Sequence, residues 1–206
     1  MDAGPFGAWL AAARASLRGE GTGMEVPCGE CRGCCTSSLF VQIRPEESGT
    51  LAVIPKRLLV RAPGQPPGHK LLGFVEDGSC PMFKDRSCSI YAQRPRTCRD
   101  YDCRIFAAAG IDAGDGKDVI NERVREWAFV YESDDEKRAH AAVRAAAAFI
   151  RDERPSFPGG TAPTSPDQIA VLALKVYEVF LRPTRAPAAT TAASIVEASR
   201  VFDRTS

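Results

Sequence analysis

The chain has 206 residues, 44% of them apolar, which is enough for one domain of ordinary size with an appendage. Its 27 basic and 26 acidic side chains leave a formal charge of +1, so no global field attracts nucleic acid or an anionic membrane. The N-terminus has no basic segment before its short apolar run, and no stretch reaches the roughly 18 uncharged apolar residues of a membrane span. We therefore expect a cytoplasmic protein with neither nucleic acid nor membrane as a partner.

In chain order, the apolar spacing predicts first a short helix over residues 5–18. Strands are predicted at residues 39–43 and 71–76, where β-branched and aromatic residues lie between turn signals. Residues 77–78 and 84–87 predict two tight turns, and each turn leads into a cysteine. The middle of the chain is therefore expected to consist of short strands and turns.

The C-terminal part predicts helices. Ser133 with Glu136, and Ser165 with Gln168, have the spacing of capping boxes, and each pair precedes an amphipathic pattern. Pro183 is expected to end the second of these helices. A mobile stretch and a last helix around residues 194–202 are expected after it. His140 lies in the charged start of the first capped helix, and we expect it at the surface.

These elements divide the chain into four parts. They are an N-terminal helix and linker (1–23), a cysteine-cluster metal-binding domain (24–106), a helical extension (107–183) and a mobile tail (184–206). The predicted fold class is α+β, with a small, irregular, metal-centred core of short strands that the C-terminal helices cover.

The cysteines are the most specific feature of the sequence. All eight lie in two short stretches: Cys28, Cys31, Cys34, Cys35, then Cys80, Cys88, Cys98 and Cys103. In a reducing compartment, clustered thiols more often bind metal or act in redox chemistry than form structural disulfides. Gly29 and Gly33 lie in the two-residue gaps, where a loop that folds around an ion needs unusual backbone torsions. The pattern predicts collective metal binding by these eight candidate ligands, with one or two of them as non-ligands.

Adjacent Cys34 and Cys35 bear on the number of metal centres. Neighbouring side chains normally diverge, so the two are not expected to bind one mononuclear ion without strain. Three arrangements fit: one four-cysteine site with accessory thiols, two four-cysteine sites, or a polynuclear centre with shared ligands. The second stretch has no CxxC pair, which argues against simple zinc ribbons, whereas Cys80-Pro81 is placed like the remote ligand of a bacterial ferredoxin loop. We therefore expect iron, such as a [4Fe–4S] cluster, ahead of zinc.

Basic residues accompany the second stretch. Their charge either balances that of metal-bound thiolates or pairs with nearby aspartates. They are Lys84, Arg86, Arg94, Arg96, Arg99 and Arg104.

The chain contains, in this order, CGECRGCC at residues 28–35, CPMF at 80–83 and CSIYAQRPRTCRDYDC at 88–103. This combination resembles the YkgJ-like cysteine-cluster family, described as zinc- or iron-chelating, over residues 24–106. The resemblance implies metal chelation by a compact domain, with the eight matching cysteines as ligands. Asp102 departs from the family pattern, which often has proline before the last cysteine.

The cluster is also similar to that of flagellin lysine N-methylases, which are longer, iron–sulfur-linked proteins. This similarity implies the alternative function, an iron-dependent redox or protein-modification enzyme. Whether the protein is an enzyme stays open, and the sequence identifies no protein partner.

Overall fold

The computed structural model describes residues 1–20, 23–24, 26–182 and 186–204. The chain forms two compact units, which we describe separately. The helical unit comprises Met1–Gly21, Cys103–Gly114 and Val124–Ser206, and the cysteine unit comprises Thr22–Asp102 and Asp115–Arg123. Helices predominate and the strands form small sheets, so the predicted α+β class is confirmed. Among the helices of the described ranges, none has the length and hydropathy that crossing a bilayer requires.

The helices are α1 (Phe6–Leu17), α2 (Ser48–Val53), α3 (Arg96–Asp100), α4 (Arg104–Ala109), α5 (Asp118–Glu126), α6 (Asp134–Asp152), α7 (Pro166–Val176) and α8 (Ala188–Arg204). The strands are β1 (Asp2–Pro5), β2 (Val41–Ile43), β3 (Leu59–Arg61), β4 (Lys70–Leu72), β5 (Phe83–Lys84), β6 (Ser87–Cys88) and β7 (Ala128–Val130). The helix predicted at residues 5–18 and the strands predicted near residues 39–43 and 71–76 are confirmed, with shorter strands than expected.

The cysteine unit is built on an antiparallel sheet in the order β2–β4–β3. Side chains on a strand alternate between its two faces, so Val41 and Ile43 of β2 point the same way. They form a small apolar core with Leu72 of β4, and Cys80 and Cys88 pack against this core. The sheet thereby gives the second cysteine stretch a fixed support.

A hairpin carries Cys88. Strands β5 and β6 pair with each other, and Phe83 lies opposite Cys88. The two turn residues, Asp85 and Arg86, both have positive φ angles, 49° and 59°. Two consecutive left-handed residues give the backbone twist that a two-residue hairpin needs. The turn predicted at residues 84–87 is confirmed.

In the helical unit, α6 and α7 pack together, and α4 packs against both. The N-cap serines of the two predicted capping boxes are confirmed, and the Glu136 carboxylate accepts the N–H of Glu132 rather than that of Ser133. The Ser133 hydroxyl accepts the N–H of Glu136 at 3.2 Å, and the Ser165 hydroxyl accepts the N–H of Gln168 at 3.4 Å. Each serine satisfies a backbone donor that the first turn of a helix leaves without a partner.

The last helix is longer than expected. Helix α8 begins at Ala188, whereas the sequence predicted a mobile stretch up to residue 193. Alanine has the highest helix propensity, and Thr191, Ala192 and Ile195 are buried on one face of α8. Pro183, which was predicted to end the preceding helix, lies outside the described residues.

His140 is buried, which corrects the expectation that it lies at the surface. Its ring stacks on Phe6 with centroids 4.4 Å apart, and its Nδ1 lies 2.7 Å from the hydroxyl of Tyr131. The charged start of α6 precedes His140, and by this point the helix presents its inner face. Burial, reinforced by the charge of Arg144, lowers the pKa of His140 to about 4.

This pKa predicts a loss of stability in mild acid. The unfolded chain binds a proton at His140 near pH 6.5, whereas the folded chain does so only near pH 4. Stability is therefore complete above pH 6.5 and falls as pH decreases towards 4, by about 2 to 3 kcal/mol from this residue. Urea unfolding at a series of pH values, compared with the variant His140→Gln, measures the effect. An equal pH dependence in both proteins would contradict it.

Candidate metal centre

The first cysteine stretch forms a tight loop. The N–H of Cys31 donates to the carbonyl of Cys28 at 3.0 Å, and Gly29 between them has a φ of 56°. This left-handed torsion is the one predicted for Gly29, and it is costly for residues that carry a Cβ. The loop geometry therefore explains the glycine in the first CxxC gap.

Gly33 has a different role from the one predicted, because its φ is not in the left-handed region. It is buried, and a Cβ at this position would lie 3.2 Å from Ile120 Cγ1 and 3.3 Å from Val119 Cγ1. Gly33 thus lets the cysteine loop approach the first turn of α5 closely. Sequence reasoning missed this helix as part of the cysteine unit, because nothing in its residues indicates which element it contacts.

The thiols of Cys34 and Cys35 do not diverge as expected. The two residues lie in a short 3-10 turn, Gly33–Cys35, and the Cys34 thiol donates a hydrogen bond to the Cys35 sulfur. The three predicted arrangements of metal centres therefore stay predictions.

Backbone hydrogen bonds join the two cysteine stretches. The N–H of Cys80 donates to the carbonyl of Cys35 at 2.8 Å, and the N–H of Met24 donates to the carbonyl of Arg99 in α3 at 2.9 Å. The first bond holds the CP segment against the cysteine loop. The second holds the chain that enters the loop beside the helix that carries Cys98.

As a result, six thiols lie close enough to influence one another electrostatically. Cys34 interacts with Cys35, Cys98 and Cys28, and Cys98 interacts with Cys80, Cys35 and Cys88. Cys31 belongs to the same loop, where its sulfur accepts the N–H of Gly33 at 3.5 Å. Each of the eight cysteines, all within the described ranges, is a free thiol rather than half of a disulfide.

This crowding separates the acidities of the thiols. The hydrogen bond from Cys34 and the charge of Arg32 lower the pKa of Cys35 to about 7, whereas the same hydrogen bond, followed by burial, raises the pKa of Cys34. Burial, with the charges of Cys80, Cys35 and Cys88, raises the pKa of Cys98 to about 12. Burial is also the largest cause that raises the pKa of Cys80. Cys35 is thus the thiol of this group most ready to act as a thiolate at neutral pH.

Cys34 and Cys98 combine this crowding with an accessible surface, since both are exposed to solvent. The group therefore has an accessible edge.

Two arginines contribute positive charge to the cysteines. Arg32 donates to the carbonyls of Gly29 and Cys31 at 2.9 and 2.8 Å and so encloses the loop. The charge of Arg94 lowers the pKa of Cys98 against the effect of burial. These two guanidinium groups favour negative charge on the sulfurs.

The other basic residues predicted near the metal have different partners. Arg96 pairs with Asp100 at 3.0 Å, and Arg99 lies 4.0 Å from a carboxylate oxygen of Glu47. Arg104 belongs to the helical unit, where its buried guanidinium donates to the carbonyl of Ala3 at 3.1 Å. Ion pairing therefore accounts for Arg96 and Arg99.

Cys103 lies in the helical unit, at the N-cap of α4. It is buried, and its sulfur accepts a hydrogen bond from the indole N–H of Trp127 at 3.3 Å. Such a bond stabilises a thiol, and it stabilises a metal-bound thiolate as well. The prediction that Cys103 is a ligand therefore stays a prediction.

The donor set suits a thiophilic metal. All of its members are cysteine sulfurs, the ligands that zinc and iron–sulfur clusters prefer. Within the described part of the chain, however, no three cysteine, histidine, aspartate or glutamate side chains are already arranged to hold an ion. The sulfurs share one neighbourhood without a preformed coordination polyhedron, which is expected where binding and local folding are coupled.

Comparison with known proteins identifies this part of the chain. The sequence model of the CxxCxxCC family, described as "Putative zinc- or iron-chelating domain", matches residues 27–125. The match begins just before the cysteine loop and extends through most of α5, the helix that packs against Gly33. No curated protein and no solved structure matches the chain.

Proposed function

Residues 27–125 belong to the CxxCxxCC family, and from this premise we propose that the cysteine unit binds iron or zinc through its thiolates. The observation that carries the proposal is that backbone hydrogen bonds hold two separate cysteine stretches together, so that the charges of thiols from both stretches influence one another. Thiols that share one neighbourhood repel one another when ionised, and a bound cation turns this repulsion into attraction.

The residues that would hold the metal are the six thiols joined by these pairwise electrostatic interactions, together with Cys31 on the same loop and Cys103 as the predicted eighth ligand. The six are Cys28, Cys34, Cys35, Cys80, Cys88 and Cys98. The metal would supply a rigid link between the loop, the hairpin and α3, and an iron–sulfur cluster would in addition carry electrons. Arg32 and Arg94 would lower the cost of gathering anionic sulfurs.

We favour iron, as an iron–sulfur centre, over zinc. A single structural zinc site takes four protein ligands, and the six interacting thiols exceed that number. The contact between Cys34 and Cys35, and the attachment of Cys80 to the loop, suit a polynuclear centre that shares one neighbourhood. We place such a centre in a reducing, cytoplasmic compartment, where these thiols stay available.

The accessible edge at Cys34 and Cys98 favours a second candidate function. An exposed metal with an open coordination position could act on a substrate, as in a redox or protein-modification enzyme similar to flagellin lysine N-methylases. A structural or storage site would instead be closed by protein ligands.

Anaerobic purification of the full chain, followed by metal and acid-labile sulfide analysis and a visible spectrum, tests the proposal. We expect iron, sulfide and a broad visible absorption. A colourless protein that holds stoichiometric zinc would contradict the choice of iron, although the proposal of metal binding would stand. A reduced protein that takes up neither metal would contradict the whole proposal. Addition of a small external ligand distinguishes a catalytic site from a closed structural site. The visible spectrum of the metal centre changes only if an open coordination position takes up the added ligand.

A further inference from the structure

The helical unit contains a cavity of about 620 Å³ that opens to solvent. Its walls come from α4 and the loop that follows it, the last turn of α5, and helices α6 and α7. This volume lies in the range of about 300 to 1,000 Å³ that is usual for small-molecule sites.

Part of the cavity lining is apolar. It includes Phe106, Val124, Trp127 and Ile169, whose side chains are otherwise packed into the protein. Aromatic and aliphatic side chains of this kind bind the apolar body of a ligand by removing it from water. A fully hydrated ion would leave this wall unused.

The charge around the cavity is positive. Arg125, Arg144 and Arg151 line it, with Asp112 as the acidic lining residue. Asp112 pairs with Arg125 at 2.8 Å, and Arg151 pairs with its neighbour Asp152 at 2.7 Å. No carboxylate in the described ranges pairs with Arg144, so its guanidinium is available for an anion.

Gly110 gives Arg144 its position. It ends α4 in the left-handed conformation, with a φ of 69°, and a Cβ at this point would lie 3.2 Å from Arg144 Nε. Arg144 Nε therefore lies beside the backbone of Gly110, and both residues line the cavity. The positive end of α7 begins at Pro166 in the same wall and adds to the local potential.

We propose that this cavity binds a small organic anion, with its apolar body against Trp127 and Ile169 and its carboxylate or phosphate on Arg144. A site with apolar side chains beside an unpaired guanidinium favours a molecule with both an apolar body and an anionic group. A ligand with only one of these would contact only the apolar residues or only the guanidinium.

Isothermal titration calorimetry of the full chain with octanoate, octyl phosphate, 1-octanol and butyrate tests the proposal at low ionic strength. We expect the better of the two long-chain anions to bind at least about tenfold more tightly than octanol or butyrate. Whichever of octanoate and octyl phosphate binds more tightly shows whether the site prefers a carboxylate or a phosphate head group. Equal binding of octanol, equal binding of butyrate, or no binding of either long-chain anion would overturn the proposal.

The variant Arg144→Gln tests the anion contact, and Arg138→Gln is its matched control. Arg138 lies on the same helix and pairs with Asp135 rather than lining the cavity. We expect about a tenfold loss of affinity for the long-chain anion in Arg144→Gln, no change for octanol, and wild-type affinities in Arg138→Gln. Unchanged anion affinity in Arg144→Gln, or an equal loss in both variants, would contradict the role of Arg144.

Discussion

Replacing Cys35 with serine is expected to remove most of the bound metal and to lower the stability of the cysteine unit. Cys35 has the lowered pKa, contacts Cys34, and accepts the backbone bond from Cys80 at its carbonyl. Serine retains the size of the side chain but loses the thiolate that a thiophilic metal needs. Because binding and folding are coupled, we expect the loss to reach about 3 kcal/mol or more.

Metal content per chain and thermal unfolding with and without a chelator measure this effect. Wild-type protein should lose stability when the chelator is added, whereas Cys35→Ser should unfold at the same temperature with or without it. Thr36→Ser is the matched control, because it changes the next residue in the same segment. It keeps the hydroxyl that donates to the backbone carbonyl of Arg32. A Cys35→Ser protein with full metal content would contradict the ligand role.

The same assay decides the role of Cys103. Loss of metal in Cys103→Ser would place it among the ligands. Full metal content together with lower stability would restrict the ligand set to the seven cysteines of the cysteine unit, since serine buries a more polar group than cysteine at this position.

Truncating Phe6 is expected to produce the largest loss of stability in the helical unit. Phe6 is fully buried, and its ring contacts His140 at 4.4 Å and Phe129 at 5.2 Å between centroids. Phe6→Ala leaves a cavity among these rings, which costs about 3 to 5 kcal/mol. Urea unfolding followed by circular dichroism measures the free energy of unfolding.

Phe40→Ala provides the comparison for Phe6→Ala. Phe40 is 61% exposed and contacts the ring of Phe74 at 5.0 Å, so its truncation should cost about 1 kcal/mol or less. Equal losses in the two variants would contradict the burial of Phe6.

Local patterns in the sequence were sufficient for much of the secondary structure. The capping residues Ser133 and Ser165, the hairpin turn before Cys88 and the left-handed Gly29 each depend on residues within a few positions of one another. Short-range hydrogen bonds and torsions decide such features, and neighbouring residues specify them. The cysteine spacing likewise indicated the family before any fold was known.

Long-range contacts decided the rest. Nothing near His140 in the sequence indicates that Phe6 stacks on it, and nothing near Gly33 indicates that Val119 and Ile120 pack against it. These contacts join residues far apart in the chain, and their energy depends on how whole elements pack.

The sequence by itself thus determined which atoms can bind a metal, because only cysteine supplies thiolates and all eight lie in two stretches. The tertiary structure decided which of them meet. It brought Cys34 and Cys35 into contact, attached Cys80 to the loop by a backbone bond, and assigned Cys103 to the helical unit with Trp127. Side-chain chemistry belongs to single residues, whereas proximity is a property of the folded chain.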